Sequence, residues 1–192
     1  QKDMTMFKTV TALLFCATGA VAHAPVFDTE PKTSDSPFIV QDAEHSKAIY
    51  SILDGKPQYY KIEESEPFDF YVGITAAKLE SCDLQQWFSF EVLDRNKKVI
   101  DQRDGSNFEW TPWYEKFGKQ WYWVGPEIGE EFLSTTVYPA GTYYIRVSNK
   151  ENRGKYVLAI GDDERFGLKT ILSLRKTIRK TDEIFWNEND CP

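Results

Sequence analysis

The sequence predicts an all-β fold, an antiparallel β-sandwich followed by one C-terminal amphipathic helix. Aromatic residues make up 15% of the 192 residues, and aromatic and β-branched side chains favour strands. Short stretches of alternating apolar and polar residues recur along the chain, separated by polar turns, which is typical of a sandwich. The first long amphipathic helical pattern begins only after residue 164. The length is sufficient for one domain with a hydrophobic core.

The N-terminus has the three parts of a secretory signal peptide. Lys8 supplies a positive charge, residues 10–21 (VTALLFCATGAV) are apolar, and Ala22 and Ala24 form an A-x-A cleavage motif. We therefore expect residues 1–24 to be removed, leaving a periplasmic or secreted protein that begins at Pro25. A buried N-terminal helix is the alternative. The apolar stretch is too short to predict a transmembrane span.

Two cysteines, Cys82 and Cys191, remain after this cleavage. An even pair in an exported chain most simply forms one disulfide, and two free thiols are the alternative. In the chain-entropy model a bridge over so long a loop stabilises the fold by roughly 4–5 kcal/mol. It would also hold the C-terminal tail close to the sheet.

Residues 25–44 are rich in proline, serine, threonine and acidic residues, and we expect an extended leader with little to bury. The sandwich domain itself is predicted within residues 45–164. Alternation predicts its earlier strands at residues 48–53, 59–62, 68–74, 87–93 and 99–100. The Asp54–Gly55 pair after the first of these strands is a strong turn signal.

The clearest pattern spans residues 138–161 and predicts a β-hairpin. One face of each arm is apolar: Tyr143, Ile145 and Val147 in the first, and Tyr156, Leu158 and Ile160 in the second. The polar segment 149–154 between the arms ends in glycine, as a hairpin loop often does. A hairpin this apolar needs a second layer to cover it.

The same stretch carries a resemblance to a known family. AGTYYIRV at 140–147, followed by GKYVL at 154–158, resembles the last two strands of bacterial pre-peptidase C-terminal (PPC-type) domains. QYYKI at 58–62 and FSFEVLD at 88–94 are similar to earlier strands of that family in the same order. The resemblance covers about residues 45–161 and implies a secreted jelly-roll sandwich. It also implies an accessory module, because such domains usually accompany proteases or other secreted enzymes.

Residues 101–129 interrupt the alternation and contain four of the six tryptophans. We interpret them as a long aromatic-rich insertion, with a short hairpin at 120–124. Flat rings with a polar edge suit sugars, peptides or a protein surface. The predicted binding residues are Trp110, Trp113, Tyr114, Trp121 and Trp123. The alternative is that these rings fill a small core of the insertion.

Residues 165–192 are predicted to form a basic amphipathic helix and tail. Residues 165–180 contain six basic and no acidic residues, whereas residues 25–164 contain 15 basic and 25 acidic ones, a net charge of −10. The helix either docks on the acidic sandwich or lies on an anionic membrane surface. The residues predicted to form this membrane or partner surface are Lys169, Arg175, Lys176, Arg179, Lys180 and Trp186.

Catalytic chemistry is poorly supported by the sequence. His45 is the single histidine of the expected mature chain, so a Ser-His-Asp arrangement would depend on it. GxSxG, HExxH and P-loop patterns do not occur. We predict no cofactor and no metal site. Acidic turns at 101–109 and 162–164 are alternatives for calcium, which needs six to eight oxygen ligands.

The predicted function is an exported, non-enzymatic binding or accessory module of the bacterial envelope. Its partner would be a protein, a glycan or a membrane surface. The net charge of −7 argues against a general nucleic-acid binder, which needs a basic face. One alternative is a carbohydrate-active hydrolase that uses Glu127, Glu130 and Glu131 beside the aromatic insertion. Another is a structural subunit of an envelope complex.

Overall fold

A computed structural model describes residues 23–80, 87–116, 118–164 and 168–187 of the chain, with helix side chains described from residue 176. The strands in chain order are β1 (Ala24–Phe27), β2 (Phe38–Val40), β3 (Lys47–Asp54), β4 (Gln58–Glu64), β5 (Phe68–Phe70), β6 (Val72–Ala77), β7 (Ser89–Leu93), β8 (Val99–Arg103), β9 (Thr111–Glu115), β10 (Gln120–Ile128), β11 (Thr136–Tyr138), β12 (Gly141–Ser148) and β13 (Arg153–Ile160). A 3₁₀ turn spans Gly105–Asn107, and helix α1 spans Leu168–Phe185.

Two sheets form the sandwich, and the predicted fold class is confirmed. One sheet has the strand order β1-β3-β13-β6-β10-β9, the other has β2-β4-β12-β7-β8, and β5 pairs with β11 beside them. The central strands β3-β13-β6-β10 and β4-β12-β7-β8 are antiparallel throughout. Eight strands in this order form a jelly roll. The edge strands β1 and β2 are added in parallel to β3 and β4.

The prediction that residues 138–161 form a β-hairpin is wrong, because the two arms are strands that do not pair with each other. β12 pairs with β4 and β7, whereas β13 pairs with β3 and β6 in the other sheet, so residues 149–152 carry the chain from sheet to sheet. The side chain of Asn149 closes this turn, accepting from the Arg153 amide at 3.1 Å and donating to the Arg153 carbonyl at 2.7 Å. Each arm has one apolar face, and placing the arms in opposite sheets buries both faces in the same core.

Residues 25–44 are part of the sandwich, in contrast to the extended leader that the sequence predicts. They supply β1 to one sheet and β2 to the other. Between these strands the Lys32 side chain is only 3% exposed, and its ammonium donates to the carbonyls of Asp28 and Glu30 and to the Ser51 hydroxyl. Burial lowers the pKa of Lys32. The polar composition gave a wrong prediction for two reasons. The strands β1 and β2 need mainly backbone hydrogen bonds, and the buried ammonium of Lys32 is solvated by protein oxygens.

The main core lies between the sheets and contains a buried pair of tyrosines. The hydroxyls of Tyr60 and Tyr156, one from each sheet, lie 2.7 Å apart. Burial raises the pKa of both phenols, so both stay protonated; one hydroxyl donates to the other, and Ser51 is a further hydrogen-bond partner. This contact joins the sheets at the level of β4 and β13.

Residues 101–129 extend the sheets and do not form a separate unit. β9 and β10 are a hairpin at the edge of the six-stranded sheet, with Tyr114 opposite Trp121 and Trp113 opposite Tyr122. Because side chains alternate along a strand, the hairpin presents rings on both faces of the sheet. Tyr122 and Trp113 lie on the outer face, and Trp123 packs against the main core.

The C-terminal end of α1 packs on the outer face of the six-stranded sheet. Phe185 is fully buried there in a second core with Tyr50, Tyr122 and Val157. Its ring meets the Tyr50 ring edge-on, with centroids 5.2 Å apart. This half of the helix therefore docks on the sandwich, the first of the two predicted roles. Within the described residues, α1 does not have the length and apolar character needed to cross a membrane.

Candidate binding site

The five predicted binding residues separate into three environments. Trp110 is in the main core, only 7% exposed. Its indole N–H donates to the Gly105 carbonyl at 2.8 Å, and its ring lies so close over Gly125 that a Cβ there would be 2.4 Å from it. Trp110 is therefore a core residue and does not belong to an exposed binding surface.

Trp113 lies on the outer face of the sheet and is half-buried. Its ring centroid is 5.8 Å from that of Tyr122 and 5.1 Å from that of Phe132. These contacts make it part of the second core beside the helix. Trp113 therefore has a structural role beside the helix.

Tyr114 and Trp121 are exposed on the opposite face of the same hairpin, by 41% and 46%. They are direct cross-strand partners, and their ring centroids lie 5.3 Å apart at an interplanar angle of 52°. Trp123, two residues further along β10 on the same face, is half-buried and borders the main core. One face of the hairpin thus carries Trp123 beside the core and the Tyr114–Trp121 pair at its exposed end.

Lys78 completes this surface, and sequence analysis did not find it. Its ammonium lies 6.0 Å from the Trp121 ring centroid and 5.4 Å from that of Trp123. Its backbone N–H donates to the Trp121 carbonyl at 3.0 Å, which ties the end of β6 to the hairpin. We name Lys78, Tyr114, Trp121 and Trp123 the aromatic shelf. A lysine beside two tryptophans on a neighbouring strand leaves no local sequence signal, because the proximity comes from the β6–β10 pairing.

Three of the carboxylates considered for hydrolysis and calcium binding, those of Glu127, Asp104 and Asp162, accept hydrogen bonds from nearby groups of the fold. Glu127 accepts hydrogen bonds from the Tyr71 hydroxyl at 2.9 Å and from the amides of Glu131 and Phe132. Asp104 caps the 3₁₀ turn by accepting hydrogen bonds from Ser106 and Asn107. These hydrogen bonds, first of all those from Ser106, lower the pKa of Asp104. Asp162 accepts from the Ser134 amide at 2.7 Å.

The described residues contain no group of three or more histidine, cysteine or acidic side chains placed to hold a metal ion. His45 lies beside Asp163, with its Nδ1 3.3 Å from the Asp163 carbonyl oxygen. The absence of a cofactor remains a prediction.

The residues predicted for a membrane or partner surface are only partly brought together. Lys176, Arg179 and Lys180 are exposed on α1, with the Lys180 ammonium 4.0 Å from the Phe27 ring centroid. Trp186 packs on Tyr122 instead, and its indole N–H donates to the Trp121 carbonyl at 3.1 Å. The side chains of Lys169 and Arg175, and both cysteines of the predicted Cys82–Cys191 disulfide, lie outside the described residues.

Comparisons with known proteins leave the chain without a family. No protein-family model and no curated protein matches it. Among solved structures it is similar to the catalytic domain of a GH87 alpha-1,3-glucanase in complex with nigerose, with a TM-score of 0.30 and 16% identity over 62% of this chain and 22% of that chain. It is also similar to a beta-glucosidase from Paenibacillus barengoltzii, with a TM-score of 0.26 and 10% identity over 74% and 13% of the two chains. The chain spans less than a quarter of these neighbours, and so low a similarity carries no argument about function.

Proposed function

We propose that this chain is an exported, non-enzymatic binding module of the bacterial envelope, periplasmic or secreted, whose aromatic shelf binds a glycan. The observation that carries the proposal is the exposed Tyr114–Trp121 pair. Many rings of the fold lie in two cores, whereas Tyr114 and Trp121 are exposed side by side, and clustered exposed rings mark interaction sites.

A sugar ring suits the geometry of the aromatic shelf. The apolar C–H face of a sugar can lie on a tyrosine or tryptophan ring, while its hydroxyls reach the polar edges of the rings and the Lys78 ammonium. The hairpin registers of β9 and β10 hold the rings in place before a ligand arrives, and such preorganisation lowers the entropic cost of binding. A stable protein interface needs about 20–30 residues on each side, which is far larger than this shelf.

The non-enzymatic part of the proposal is supported by the engagement of Glu127. Both of its carboxylate oxygens accept hydrogen bonds from Tyr71 and the 131–132 backbone. A glycoside hydrolase needs two carboxyl groups facing one bond, roughly 5–10 Å apart. A carboxylate that organises a loop is a poor candidate for either role.

Binding to a panel of soluble polysaccharides tests the proposal. Trp121→Ala is expected to weaken binding at least tenfold, about 1.4 kcal/mol or more, because it removes one of the two exposed ring faces. Tyr114→Ala should act in the same direction. Affinity electrophoresis and tryptophan fluorescence titration supply the measurement.

Phe108→Ala is the matched control, because Phe108 is similarly exposed but lies outside the aromatic shelf. Its affinity should equal that of the unaltered protein. Binding that persists in both shelf variants, or no binding to any glycan, would overturn the proposal. Release of reducing sugar that disappears in Glu127→Gln would support the hydrolase instead.

A further inference from the structure

The His23 side chain fills a pocket at the start of β1. Its ring lies between two aromatic rings, with centroids 5.9 Å from Tyr71 and 6.4 Å from Phe132. One ring nitrogen donates a hydrogen bond to the Gly161 carbonyl, and Asp162 lies close enough to act on the ring electrostatically. The other nitrogen, Nε2, is buried and has no hydrogen-bond partner among the residues that the structure describes.

The walls of this pocket are held by hydrogen bonds that do not involve His23. Tyr71 is fully buried, and its hydroxyl donates to Glu127. Burial and then the Glu127 carboxylate raise the pKa of Tyr71 well above its usual value, so the phenol keeps its proton. The same carboxylate binds the amide of Phe132, whose φ of 67° is in the left-handed region. Such a conformation persists only where the surroundings impose it, so the Phe132 backbone is held beside the pocket, and its ring also packs on Trp113.

The pocket holds imidazole in its neutral form. Burial is the largest cause that lowers the pKa of His23 to about 4, opposed by Asp162 and by the Gly161 hydrogen bond. Lys47 is the other charged group that acts on the ring, and it also lowers the pKa. Glu127 accepts three hydrogen bonds, from Tyr71, Glu131 and Phe132. The His23 ring is therefore neutral at neutral pH.

Removal of residues 1–24 at the A-x-A motif would take His23 away and leave these walls in place. The rings of Tyr71 and Phe132, the Gly161 carbonyl and the Asp162 carboxylate would then border the site that His23 leaves. We infer that this pocket is a binding site for the neutral imidazole of a histidine in a peptide ligand, and that His23 blocks it until the leader is removed. The inference rests on the export proposed above and is independent of the aromatic shelf.

The test uses the full chain with His23→Ala and free imidazole as the probe. Imidazole is expected to raise the thermal midpoint of the variant in a saturable manner, because it restores the ring and its hydrogen bond to Gly161. The apparent affinity should be at least tenfold higher than for the unaltered chain, whose pocket is filled. His23→Gly serves as a second variant with the same expectation.

Two further measurements separate this pocket from general attraction to an acidic protein. Binding at the pocket should weaken about tenfold per pH unit below the pKa of imidazole, since only the neutral ring enters, whereas attraction of imidazolium to acidic side chains would strengthen. Adding Phe132→Ala to His23→Ala should abolish binding, while adding Leu133→Ala, an exposed neighbour, should not. Equal affinity in the unaltered chain, or no saturable binding by either His23 variant, would overturn the inference. Failure of glycan binding would leave it unaffected.

Discussion

Trp110→Ala is expected to lower the free energy of unfolding by about 3–5 kcal/mol, the usual cost of removing a large buried aromatic side chain. The change leaves a cavity over Gly125. It also removes the hydrogen bond that the Gly105 carbonyl accepts from the indole N–H. An unsatisfied carbonyl adds to the cost of the cavity. Urea unfolding followed by circular dichroism measures the difference.

Trp121→Ala is the matched control for this prediction, since it removes the same kind of side chain from the exposed end of the β9–β10 hairpin. Its free energy of unfolding should change by about 0.5 kcal/mol or less, as is usual at surface positions. The two variants thus separate stability from the proposed binding: Trp110 packs in the core, and Trp121 belongs to the proposed glycan-binding surface. Equal destabilisation by both variants would show that Trp121 is also a core residue.

The sequence predicts which residues of the aromatic hairpin share a face, but not which face is covered. Trp121 and Trp123 alternate with Tyr122, and this alternation holds in the structure. Both faces of the six-stranded sheet are covered, by the second sheet on the inside and by α1 on the outside. Burial of a given ring therefore depends on how far each covering layer extends along β10, which a period of two does not encode.

The same limit explains the wrong pairing of residues 138–161. Alternation predicts that Tyr143 and Tyr156 face the core, and both do. It does not distinguish two arms that pair with each other from two arms in opposite sheets, because the pattern is the same in either arrangement. The left-handed conformation of Asn152, and the side chain of Asn149 that closes the turn, are seen only in three dimensions.

Phe185→Ala is expected to be as destabilising as Trp110→Ala, about 3–5 kcal/mol, because Phe185 is the fully buried anchor of α1. Its ring contacts Phe27 on β1 and Tyr50 on β3. Loss of the ring should therefore loosen both the helix and the edge strand β1. Urea unfolding gives the loss of stability, and limited proteolysis should cut the helix faster than in the unaltered chain.

Arg179→Ala is the control, because Arg179 is largely exposed and its ion pair with Glu183 on the same helix, among the described residues, is long at 3.9 Å. Exposed pairs of this kind contribute about 0–1 kcal/mol, so its stability should barely change. If Phe185→Ala also left stability and proteolysis unchanged, α1 would not be held by the sheet in solution. Its apolar stripe and its basic residues Lys176, Arg179 and Lys180 would then be available together, which is the condition for binding an anionic membrane. Docking on the sheet and binding to a membrane thus compete for the same apolar side chains of α1. The loss of free energy of unfolding in Phe185→Ala measures whether the helix is docked.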